Sequence, residues 1–142
     1  MHTNYAEQYF GKAQVYLFKN GVDEFIEENS SLSFPRAMIV SALDHTLIIT
    51  GFIFISIENL AQAALNLLGV MFNFLSCVCG YNGHEFDCSY GEALGSLDTA
   101  LFTAALIPTR IALLPFTWSY HSFQIMNNPK DAESYFSFDD DE

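Results

Sequence analysis

The apolar residues of this chain are spaced for helices, and in its middle they nearly crowd the polar residues out. Tyr5, Tyr9, Ala13, Tyr16 and Leu17 recur at helical spacing, with Glu7, Gln8, Lys12 and Lys19 between them. That predicts an amphipathic helix closing near Asn20 and Gly21, where glycine suits a left-handed cap. A second short helix is expected over Val22 to Glu28, with Phe25 and Ile26 as its apolar side. The plain reading packs both on the rest of the fold. A helix lying on a membrane is the alternative, and the shortage of Lys and Arg on its polar face weighs against it.

Asn29-Ser30-Ser31 and Phe34-Pro35 punctuate the chain, and proline fits the first turn of a new helix. From Ala37 to Cys79 the polar and small positions Ser41, Asp44, Gly51, Glu58, Gln62, Asn66, Gly69, Asn73 and Ser76 fall three, four or seven apart. They form one stripe of a helix whose other faces are apolar. As one straight helix this stretch is about 65 Å long at ~1.5 Å per residue, so a break is expected at Gly51 or at Glu58-Asn59. Gly80 to Gly95, with four glycines, reads as a loop. Ser96 or Asp98 then caps a last helix to about Met126, with Pro108 and Pro115 kinking it and Asn127-Asn128-Pro129 ending it.

The elements predict an all-α protein. Residues 1–34 form a short amphipathic N-terminal helical pair. Residues 35–127 form a long hydrophobic helical hairpin with a Pro-kinked third helix, and 128–142 an acidic tail. Tyr135, Phe136 and Phe138 show neither helical nor alternating spacing, so the tail is expected to be disordered and its removal to leave stability unchanged.

Composition sharpens the question of solvent. Hydrophobic residues make up 51% of the 142 and charged residues 15%, against roughly 25% charged in an ordinary soluble domain. The net charge is −12 with five Lys and Arg in all, so a nucleic-acid backbone is repelled and nucleic acid is excluded as a partner. Anionic head groups are disfavoured on the same ground, but insertion into hydrocarbon is not. Met38–Ile57 and Leu60–Cys79 are each close to the ~20 residues that cross a bilayer core, and Thr99–His121 is a weaker third. Neither a signal peptide nor a lipidation box is read at the start, so the middle would be its own insertion signal. Lys12, Lys19 and Arg36 favour a cytoplasmic N-terminus. The competing reading is a soluble bundle or obligate homo-oligomer whose apolar faces are buried between subunits.

Three constellations could carry chemistry. Cys77, Cys79, His84 and Cys88 could surround a tetrahedral zinc ion. Cys79-Gly80-x-x-Gly83-His84 resembles the heart of a retroviral-type zinc knuckle, but the outer spacings are each one residue short. The basic and stacking residues a knuckle uses on RNA are missing, so the resemblance implies at most a metal loop. Free thiols, or a disulfide from Cys88 to Cys79 or Cys77, account for the same residues, and no metal or other cofactor is expected. Asp44-His45 and the i, i+4 pair Ser41 and His45 make no triad, and no catalytic motif occurs; the chain reads as a non-enzyme. Arg110 lies in an apolar segment and is expected to pair with a buried acid, Asp44 first and Glu58 second.

The paired lobes Met38–Ile57 and Leu60–Cys79, followed by Ile107-Pro108-Thr109-Arg110-Ile111, resemble the small hydrophobic proteins of intracellular bacteria, of the chlamydial inclusion-membrane type. The resemblance implies a host-facing membrane protein that anchors or scaffolds protein partners.

Overall fold

The computed structural model describes residues 4–24, 32–80 and 84–138, apart from the side chains of 84–89. Among them there is helix and no strand. Helix α1 is Tyr5–Phe18, followed by a π-helical turn at Lys19–Asp23. Helix α2 is Phe34–Val78 and helix α3 is His84–Asn127. A 3-10 turn at Pro129–Asp131 leads into an irregular strap over residues 132–138. Most of the expected second short helix lies outside the described residues.

Helices α2 and α3 form the long antiparallel hairpin. Ser41 meets Trp118, and Ser56 meets Thr103 at 2.7 Å. Trp118 Nε1 donates to the Met38 carbonyl at 3.0 Å across the same seam. Small buried residues, Ala63, Ala93 and Ala100, let the helices approach closely towards the far end.

The expected break in α2 does not occur: the helix is continuous for 45 residues, about 68 Å at ~1.5 Å per residue. Its small polar residues satisfy their hydroxyl and amide groups on their own helix without breaking it. Thr46, Ser56, Asn59 and Ser76 each donate to the carbonyl four residues earlier. Gly51 provides room rather than a hinge. A Cβ there would lie 2.4 Å from the tip of the Phe138 ring. Helix α2 ends where Gly80 takes a φ of 91°, a conformation that favours glycine. The expected Gly80–Gly95 loop is also corrected. Helix α3 begins at His84, so most of that stretch is helical.

Helix α1 packs along the first half of α2, with its buried face turned partly away from the expected one, although Leu17 still packs at the edge of the core. Phe10, Gly11, Gln14 and Phe18 are inside, whereas Tyr9 and Tyr16 are 71% exposed. Gln14 is a buried hydrogen-bonding residue, so the inner face carries a polar position that the apolar stripe alone does not show. The start of α1 is capped from another helix. The Tyr5 and Ala6 amides donate to the two carboxylate oxygens of Glu58 at 2.9 and 2.8 Å, placing a negative charge at the positive helix end. At the other end, Phe18, Val22, Leu32, Ala37, Val40 and Ile125 form a small core that joins the π turn to both long helices.

The strap differs most from expectation. Rather than trailing away, residues 134–138 lie against the helices. Phe136 and Phe138 pack on Phe52, with ring centres 5.1 and 5.5 Å away, and Phe138 also meets Phe10 at 6.1 Å. Residues 139–142 lie outside the described set. Gly51→Leu should therefore leave helicity intact but displace Phe138, at about 1–3 kcal/mol. Faster proteolytic cleavage within 132–138 is the expected reading; unchanged strap protection would mean that Gly51 does not seat the ring.

Candidate functional site

The ionisable residues buried deepest lie where α1, α2, α3 and the strap converge. Asp44 is 0% exposed, His121 3% and His45 6%. They sit in long apolar helices, where an unsatisfied polar group is expensive.

The strap and α1 satisfy Asp44. Ser134 Oγ donates to Asp44 Oδ1 at 2.7 Å and the Tyr135 amide to Oδ2 at 2.9 Å, with Gln14 Nε2 more distant at 3.4 Å. Gln14 also donates to Ser134 Oγ and to the Phe136 carbonyl, both at 2.8 Å. One glutamine on α1 thus joins the carboxylate to the strap.

The two imidazoles are oriented by backbone carbonyls. His45 Nδ1 lies 2.8 Å from the Ser41 carbonyl and His121 Nε2 lies 2.9 Å from the Glu133 carbonyl. A carbonyl only accepts, so these nitrogens carry the protons, leaving lone pairs on His45 Nε2 and His121 Nδ1. Among the described residues no protein group reaches His45 Nε2, which is buried; leaving such a group unpaired costs about 1–3 kcal/mol. His121 Nδ1 faces Asp44 Oδ2 at 3.7 Å and Ser41 Oγ at 3.1 Å. The His45 and His121 rings are 5.5 Å apart, and Tyr135 stacks on His45 at 5.2 Å.

Ser41, His121 and Asp44 invite comparison with a nucleophilic triad, but the geometry is different. Serine and aspartate both approach the same ring nitrogen, while the other is held by Glu133. A triad needs the serine on one nitrogen and the acid on the other.

The expected Asp44–Arg110 pair is corrected. Asp44 is occupied by strap donors and faces His121, and Glu58 is occupied by α1. The Arg110 guanidinium instead lies 5.2 Å from the Phe136 ring centre and 5.9 Å from those of Phe52 and Tyr135. Aromatic faces stabilise a partly buried guanidinium by cation–π attraction. The strap explains both departures: it brings hydroxyl and amide donors to the acid and rings to the base.

The i, i+4 pair Ser41 and His45 are in contact through the Ser41 carbonyl rather than its hydroxyl. Cys77 and Cys79 stand exposed at the far end of α2. The side chains of His84 and Cys88 lie outside the described set, and with them the four-residue metal loop and the Cys79–Cys88 disulfide. The cluster proper joins Asp44 and His45 to residues that spacing did not single out: Gln14, His121, Ser134 and Tyr135. The one signal was the Asp44-His45 pair itself, since two ionisable groups in an apolar helix require partners from elsewhere.

No protein-family model matches the sequence, and no curated protein or solved structure matches it either. The geometry defines the class: an all-α protein whose two hairpin helices are both long and apolar enough to cross a membrane.

Proposed function

We propose that this is a non-enzymatic membrane protein, held in a bilayer by its hairpin and presenting its α1 and strap side to protein partners as an anchor or scaffold. One observation carries the reading. The core helix of a soluble protein is mostly buried, yet only 11% of the most apolar stretch of α3 is buried, against 44% in α2. Leu101, Phe102, Ile111, Leu113, Phe116 and Phe123 are all exposed along α3. An apolar surface of that extent on a soluble protein marks a contact with lipid or protein. The opposite side differs in character: Glu7, Gln8, Lys12 and Lys19 of α1 are exposed and suit water or a polar partner. The likeness to inclusion-membrane proteins of intracellular bacteria extends the proposal to a host-facing surface.

A second reading has its own observation. Glu92 and Asp98 are exposed on α3, in the part of the hairpin that runs beside the apolar stretch Leu60–Val78. Acids there suit a soluble homo-oligomer in which two copies cover each other's α2 stripes. Alkaline carbonate washing of membranes from expressing cells separates the readings. Retention in the pellet is expected. Folded protein in the supernatant, larger than one chain and stable without detergent, would replace the membrane reading with the oligomer.

A further inference from the structure

We propose that Asp44, His45 and His121 bind a divalent transition-metal ion of the zinc type, and that the ion fastens the C-terminal strap to the hairpin. This goes beyond the membrane reading and does not depend on it, because the site lies inside one chain.

Three features converge. First, one ligand-capable atom from each residue lies within 4.8 Å of the others, and all three residues are buried. Tetrahedral ligand atoms at bond lengths of about 2.0–2.2 Å stand roughly 3.3–3.5 Å apart, so closure needs side-chain adjustments of the order of 1 Å. Asp44 Oδ2 and His121 Nδ1, at 3.7 Å, are already near that spacing. Second, the imidazoles are in the tautomers that metal binding needs. In metal sites a ligating histidine donates its other ring nitrogen to a carbonyl or carboxylate. Here His45 Nδ1 serves the Ser41 carbonyl and His121 Nε2 the Glu133 carbonyl. Third, His45 Nε2 is a buried lone pair that no described protein group satisfies.

The surroundings allow it. Ser41 Oγ has a second acceptor, the Trp118 carbonyl at 3.3 Å, so it can release His121 Nδ1. Asp44 keeps its bonds to Ser134 and Tyr135 while a remaining lone pair faces the ion. Two imidazoles and a carboxylate suit zinc and its neighbours rather than calcium or magnesium, which prefer all-oxygen shells. A cleft of about 650 Å³ is lined by His121, Asp131, Glu133, Ser134 and Tyr135 among others, so it reaches one residue of the site. The outer shell comes largely from the strap: the Glu133 carbonyl, the Ser134 hydroxyl and the Tyr135 amide. Loading the ion therefore stabilises the docked strap by linkage.

The full-length chain, stripped with chelator and titrated with Zn²⁺ or Co²⁺, tests this. One ion per chain is expected, with the visible absorption of tetrahedral Co²⁺ and slower proteolysis within residues 132–138. Changing Cys77, Cys79, Cys88 and His84 together should leave binding unchanged, which separates this site from the thiol loop. His45→Phe keeps a ring to stack on Tyr135 but removes the ligand. It should weaken binding by more than the roughly 10–100-fold that loss of an outer-shell partner costs. If His45→Phe fails to fold, the cysteine-free chain still decides. Folded wild-type chain that binds no ion, or binding that disappears with the cysteines and His84, would overturn the proposal.

Discussion

Replacing Asp44 by alanine should lower the stability of the metal-free protein by about 3–5 kcal/mol, since it strands several buried donors at about 1–3 kcal/mol each. For a chain of 142 residues this is a fall in thermal midpoint of about 6–20 °C, at roughly 2–4 °C per kcal/mol. The reason is what remains behind. Ser134 Oγ, the Tyr135 amide and Gln14 Nε2 all point at the carboxylate, and in the alanine variant those donors face a cavity. Asp44→Asn should fall between wild type and alanine, because its carbonyl oxygen replaces one acceptor while its NH₂ faces a donor. Thermal unfolding followed by circular dichroism, with chelator present, gives the reading. A midpoint within 2 °C of wild type for Asp44→Ala would show that the buried network contributes little.

Ending the chain after Asp131 should be nearly as damaging. Truncation removes Ser134 and Tyr135 from Asp44, and Phe136 and Phe138 from Phe52 and Phe10. Each aromatic pair contributes about 0.5–1.5 kcal/mol beyond its burial, and Arg110 loses two of its three rings. Helicity should persist, since α1, α2 and α3 keep their own hydrogen bonds, while the midpoint falls by about 5–15 °C on the same scale. Combined with Asp44→Ala the effects should be far from additive, because both changes break the same network. Additive losses, or truncation without effect, would show the strap to be energetically separate from the site.

How far the sequence revealed this arrangement depends on the range of each interaction. The helical class and the hairpin follow from apolar periodicity, a local property. The continuity of α2 was hidden because glycine and an acid-amide pair look like a break. Gly51 instead answers to Phe138 and Glu58 to Tyr5 and Ala6, contacts that span 87 and about 53 positions. The inner face of α1 was hidden by Gln14, whose partners Ser134 and Phe136 are 120 and 122 residues away. The strap has three aromatics without a period, and only the surface that receives them gives them order. Arg110 and Asp44 each needed a partner, as argued from burial alone, but burial does not say which partner.

Asp44 and Tyr135 are 91 residues apart in the chain. During synthesis at ~5–20 residues per second, the carboxylate precedes its donors by about 5–18 s. Both hairpin helices are complete only once Asn127 has been made, eight residues before Tyr135, so for about 0.4–1.6 s the finished helices stand with Asp44, His45 and His121 uncovered. The nascent hairpin is thus more polar along its seam than the finished one, and open to water or to a chaperone. Docking of the strap is therefore a closing step: it can cover Asp44 and His121 only after both hairpin helices have been made.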